Sequence, residues 1–166
     1  MISTVQKSCV LTSLVLMMSA CSSINLDSNA SKIQTQPTTT DQKQLIQVYQ
    51  VDAKGVGASI GTVTFKQTAK GLLITPALGK LSPGEHGFHI HENGSCEAAE
   101  KEGKMGAALA AGGHLNPEKV AHHGTPLDGH LGDLPALTVT DKGFATTPVL
   151  APRLKLTDIQ GRAIMI

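Results

Sequence analysis

Seven histidines occur in the 166-residue sequence, and all of them fall between His86 and His130. A hydrophobic core has no need to collect imidazoles in this way, whereas a metal site does. The first group is Gly87-Phe88-His89-Ile90-His91-Glu92. On a β-strand, side chains alternate between faces with period two. Phe88 and Ile90 then point one way, as a core requires, and His89 and His91 point the other, as a two-nitrogen chelate requires. Alone, His-x-His more often marks a half-exposed strand with two polar residues facing water. Five further histidines within a few dozen residues reverse that preference.

The second group is His114, His122 or His123, His130 and Asp133. It is set among Gly112-Gly113, Asn116-Pro117, Gly124, Pro126 and Asp128-Gly129, residues that signal loop rather than strand or helix. A long loop without secondary structure is uncommon unless it works or is tied down. Three imidazole nitrogens and one carboxylate make a full tetrahedral set for zinc with no position left for water, which is the pattern of a structural staple. The alternative is a solvated polar loop, which would account for His130 or Asp133 singly but not for the whole set.

These segments resemble a family. Gly87 to Glu97, Gly112-Gly113-His114-Leu115-Asn116-Pro117, and Gly129-His130-Leu131-Gly132-Asp133-Leu134-Pro135-Ala136-Leu137 closely resemble the bacterial copper,zinc superoxide dismutases. Leu150-Ala151-Pro152-Arg153-Leu154-Lys155-Leu156 and Gly161 to Ile166 are also similar, so the resemblance runs from about residue 45 to the end. It implies copper on His89 and His91, and His114 as a catalytic imidazolate bridging copper and zinc. It further implies zinc completed by His123, His130 and Asp133. His123 is preferred over His122 because His123-Gly124-Thr125-Pro126 fits the family's histidine before Gly-x-Pro.

The implied reaction takes an electron from one superoxide anion, giving oxygen, and returns it to a second, giving hydrogen peroxide, with His114 delivering a proton. Zinc has no redox chemistry of its own, so copper carries the electron. In the family the segment resembling Ile164-Met165-Ile166 is followed at once by a fourth copper histidine. A charged loop, an arginine beside copper, a second cysteine and a last strand come after it. The sequence stops at Ile166. The resemblance therefore implies a truncated domain, a copper set of three histidines, weak activity, and a Cys96 whose disulfide partner is absent. The competing class is a non-catalytic periplasmic copper/zinc-binding protein on the same scaffold.

The elements that must position these residues are those of an all-β domain. Apolar content is 40%, charged content 16% and aromatic content 2%, with 17 glycines and 8 prolines, which suits a turn-rich, folded β protein. A formal charge of +1 and the lack of a basic patch argue against nucleic acid as a partner. Leu45–Val51, Ser59–Phe65 with Val63 and Phe65 on one face, and Gly71–Thr75 with Leu72 and Ile74 inward read as three strands. Short strands divided by Gly, Pro or Asp turns suggest a sandwich or barrel, and the resemblance implies an eight-strand Greek-key β-barrel lacking its last strand. His86 falls on the Phe88 side by parity and reads as structural. Glu97–Ala111 has helical propensity, although the resemblance implies a loop; Met105 within it reads as a packing residue. Leu134–Thr140 and Phe144–Val149 read as a hairpin about Asp141-Lys142-Gly143, and Arg162–Ile166 as a further strand.

Upstream, residues 1–20 read as a signal peptide, with Lys7 in the n-region and Val10–Met18 too short to span a bilayer. Met18-Ser19-Ala20-Cys21 resembles a lipobox, so Cys21 would carry lipid and hold the protein at the outer membrane, facing the periplasm; an ordinary signal peptide with Cys21 incidental is the alternative. Residues 22–44 read as a polar tether, and 45–166 as the domain.

Overall fold

The structure is a computed structural model that describes residues 43–166 and the backbone of residues 2–4. Residue 1 and residues 5–42 lie outside the described residues, and with them Cys21, most of the stretch read as a signal peptide and most of the tether. Three long strands form an antiparallel meander: β2 (Lys43–Asp52), β3 (Gly55–Thr68) and β4 (Gly71–Leu78). The backbone of β1 (Ile2–Thr4) lies on the other side of β2. Strand is already formed at Lys43, two residues before the Leu45 read as the strand's start.

Alternation works as expected in these strands. Ile46 and Val48, Val63 and Phe65, and Leu72 and Ile74 are all buried. Ile60 is buried as well, out of phase with Val63. The register explains it: Val48 pairs with Gly61 and Tyr49 with Ser59, so Ile60 is the extra residue of a β-bulge. A bulge resets the parity of everything beyond it. Gly61 is required there, because its φ is +135° and a Cβ would stand 2.1 Å from the Ala77 carbonyl oxygen.

Two short strands follow, β5 (Gly84–His86) and β6 (His89–His91). The stretch read as helix-prone contains instead a hairpin of β7 (Ala99–Lys101) and β8 (Lys104–Gly106), then a single 3-10 turn at Leu109–Ala111. Glu102 and Gly103 at its tip both have positive φ, 54° and 77°. A two-residue turn with both centres left-handed matches the twist of antiparallel strands and overrides helical propensity. Met105 is 54% exposed there, so it does not pack as expected.

The remaining strands are β9 (Leu137–Val139), β10 (Val149–Ala151) and β11 (Ala163–Met165), with a 3-10 turn at Leu156–Ile159. The Asp141–Gly143 turn forms, closed by Gly143 N–H to the Thr140 carbonyl and Thr140 N–H to the Phe144 carbonyl. Its flanks then part, against the hairpin expectation. β9 pairs with β5, Ala145 bridges to Leu78, and β10 pairs with the outer edge of β4. A chain leaving a turn goes where an unpaired strand edge is open, and β4 offered one.

The main sheet runs β10-β4-β3-β2-β1-β11-β6. The described residues contain no α-helix. The main core includes Phe65, Phe88, Ile90, Leu137, Leu154 and Ile164, and a smaller buried cluster gathers around Cys96.

Candidate metal centre

Strand β6 belongs to both the core and the site. Phe88 and Ile90 are fully buried in the core, while His89 and His91 meet the other histidines on the opposite face. One edge of β6 pairs with β11. The other edge takes two loop segments at once, through the bridges His91–His114 and His89–Asp133. Ile90 is the junction. Its N–H donates to the Gly132 carbonyl at 2.9 Å, its carbonyl accepts from Leu115 N–H at 2.8 Å, and Gly132 N–H donates to the Leu115 carbonyl at 2.9 Å. Residues 24 and 42 positions away in sequence from Ile90 are thereby set beside the His-x-His pair as His114 and Gly132.

Asp133 is the hub. Its carboxylate is buried, with 1% of the side chain exposed. Oδ2 accepts from the N–H groups of Gly124 (2.9 Å) and His130 (2.8 Å). Oδ1 lies 2.9 Å from His114 Nδ1, 3.2 Å from His123 Nδ1 and 3.5 Å from His130 Nδ1. His114 Nδ1 is in turn 3.4 Å from His123 Nδ1 and 3.5 Å from His130 Nδ1. Four donors around a tetrahedral ion at zinc's bond lengths stand about 3.3–3.4 Å apart. The five separations fall around that value, so these four atoms fit a closed zinc site. His122, the alternative to His123, is exposed and stands by Asp128.

Burial raises the Asp133 pKa. The Gly124 N–H, the His114 ring, the His130 N–H and nearby His123 outweigh it, and the carboxyl is held below its ordinary value.

A second group adjoins the first and is made of His89, His91 and His114. The His89 ring stacks on His114 at 4.1 Å between centroids, and His91 meets His114 edge-on at 5.0 Å. Single donor atoms of His89, His114, His123 and Asp133 all lie within 4.8 Å of one another, so the two sets are contiguous. Burial, then His114 and His123, pushes the His89 pKa down to about 4. Burial also lowers that of His91, against the partial opposition of its bond to Gly112. Both rings are therefore neutral near pH 7, the form that ligates a metal.

His91 Nδ1 donates to the Gly112 carbonyl at 2.9 Å, which leaves Nε2 as the available lone pair. The sequence carried no sign of that carbonyl's role, nor of Glu92, whose Oε2 accepts from the Gly113 N–H of the same peptide unit at 3.3 Å.

His86 stands apart from the cluster. Its Nε2 bonds the Ser82 carbonyl at 2.8 Å, and it lines a cavity of about 490 Å³ with Gln50, Asp52, Leu81 and Ile166. Cys96 is buried at 3% beside Ala108, Ala111 and Ala163.

Residues 59–166 match the family described as copper/zinc superoxide dismutase (SODC). The chain belongs to the copper/zinc superoxide dismutase family. It is 56% identical over 124 residues to a superoxide dismutase [Cu-Zn] of Neisseria meningitidis serogroup A, covering 73% of this chain and 67% of the relative. It is 57% identical over 118 residues to superoxide dismutase [Cu-Zn] 2 of Salmonella typhimurium, covering 70% and 68%. The solved Cu/Zn superoxide dismutase of Brucella abortus superposes with a TM-score of 0.73 at 43% identity, over 75% of this chain and 82% of that one. Copper and zinc are thus the ions of this family, and its all-β fold is the fold found here.

Proposed function

We propose that the chain dismutes superoxide at adjoining copper and zinc sites. In this reading zinc is held by His114, His123, His130 and Asp133, and copper by His89, His91 and His114. The observation that carries it is the set of 2.9–3.5 Å separations converging on His114 Nδ1 and Asp133 Oδ1. With Nδ1 of His114 committed to that set, Nε2 of the same ring is the nitrogen left for a second ion beside His89 and His91.

Copper, when bound, supplies the one-electron couple that disproportionation needs, and zinc supplies none. The protein's own residues do the rest. Gly112 fixes the His91 tautomer. The buried Asp133 carboxylate holds the His114 ring in one orientation. His114 is then the group able to hold a proton at Nε2 and hand it to the reduced substrate. The test is superoxide decay by pulse radiolysis on protein refilled with one equivalent of each ion. Catalysis should be first order in protein, and His114→Ala should lower it by about 10²-fold or more. Protein that holds both ions yet leaves the decay unchanged would refute the reading.

A periplasmic, lipid-anchored location belongs to the same proposal, supported by Lys7, the short apolar run Val10–Met18 and the Met18-Ser19-Ala20-Cys21 sequence. Labelled palmitate should enter the protein in bacterial cells and fail to enter Cys21→Ala. Equal labelling of both would rule out this anchor.

A further inference from the structure

We infer that Arg153 is a positioning residue for the metal loop, setting its shape before any ion arrives. The inference rests on the assignment of zinc to His114, His123, His130 and Asp133.

The loop from His114 to Asp133 contains no strand or helix. Most of its hydrogen bonds are its own. Asn116 and Val120 bond each other through side chain and backbone, Thr125 and Asp128 close a turn, and Gly124 and His130 donate to Asp133. Among the described residues, the hydrogen bonds that reach residues 117–131 from outside the loop all come from one side chain. Arg153 Nε donates to the Pro126 carbonyl, and Nη2 donates to the carbonyls of Gly129 and His130, each at 2.8 Å.

Three features make this more than a surface contact. The Arg153 guanidinium is committed to carbonyls, three of them, through Nε and Nη2. A guanidinium is a rigid planar fork, so three bonds from one head fix orientation as well as distance. The chain close by is locked: Ala151, two residues before, and Leu154, the next, are 2% and 1% exposed, and Ala151 pairs with Leu72 of the core. Arg153 therefore carries the rigidity of β10 to the backbone of His130, whose N–H in turn orients Asp133.

The ordering entropy of a loop must be met either during folding or at metal binding. With Arg153 present it is met during folding. Without it, the loss should appear mainly as weaker zinc binding.

The experiment compares full-length wild type, Arg153→Met and Arg153→Lys. Zinc affinity is measured by competition with a chromogenic chelator, and amide hydrogen exchange is measured on the metal-free proteins. Arg153→Met should bind zinc about 10- to 100-fold more weakly, as is typical when an outer partner of a metal ligand is removed. Its Gly124, Gly129 and His130 amides should exchange faster, while those of β3 and β4 stay unchanged. Arg153→Lys keeps the charge but not the fork, and should show the same local pattern at reduced size. Wild-type affinity and wild-type loop exchange in both variants would overturn the inference, as would faster exchange spread evenly through β3 and β4. Wild type that takes up no zinc would sink the metal assignment instead, and the exchange data would still decide the role of Arg153.

Discussion

Asp133→Asn should leave the domain folded and weaken its hold on zinc by orders of magnitude. The carboxylate has two jobs on two oxygens: Oδ2 accepts from two backbone N–H groups, and Oδ1 faces three imidazoles. An amide has one oxygen and one NH₂. If the oxygen stays with Gly124 and His130, the loop survives and an NH₂ group faces the ligand set. Closed four-ligand zinc sites are worth about 10–16 kcal/mol, so losing one ligand of four, and the charged one, should cost about 3–4 kcal/mol, or about 10²–10³-fold in affinity. Asp133→Ala removes both functions. It orphans two N–H groups at about 1–3 kcal/mol each, so the metal-free domain should also be destabilised by several kcal/mol. Chelator competition reads the first effect and denaturant unfolding of the metal-free proteins reads the second. Equal stability of Asn and Ala variants would show that the Oδ2 bonds do not hold the loop.

Gly132→Ala should be nearly as damaging, although Gly132 offers no ligand. A Cβ there would stand 2.3 Å from the Ile90 carbonyl oxygen and 2.9 Å from Leu115 N. Both are backbone atoms, so relief requires the strand and the loop to separate. Separation strains the three bonds of the Ile90–Leu115–Gly132 junction, each worth about 1 kcal/mol, on top of about 1–3 kcal/mol for overpacking. Metal-free protein should lose about 3 kcal/mol or more of stability, and ion uptake should fall at both sites because His91, His114 and Asp133 move apart. Gly113→Ala is the control: it is also next to a ligand, but its Cβ would meet nothing closer than 3.7 Å. It should cost about 1 kcal/mol or less. Similar losses in both variants would mean that crowding at Ile90 is not the cause.

The sequence made some of this legible and concealed the rest for physical reasons. Strand alternation depends only on the pleat, so Phe88 and Ile90 could be assigned to the core and His89 and His91 to the site. The Ile60 bulge was hidden because it is defined by the partner strand, not by Ile60 itself. Parity could not separate His122 from His123, since a loop has none, and only the resemblance favoured His123, whose Nδ1 stands 3.2 Å from Asp133 Oδ1. The hairpin at Ala99–Gly106 was masked by Ala, Glu and Lys, whose helical preference is weaker than a left-handed Glu102-Gly103 turn. The pairing of β10 with β4, and not with the strand before it, was a competition between edges that composition does not record. Arg153 and Gly112 were invisible for a shared reason. They act on, or through, backbone carbonyls, which every residue has.

The dual position of Ile90 means that wall and chelate cannot come apart independently. The same short strand seals the hydrophobic interior with its side chain and ties both loop ends with its amide. Ions held as proposed would be freed by any event that melts the barrel, and would in return act as rivets on its seam. Heating should therefore release metal in step with unfolding, not leak it beforehand from an intact shell.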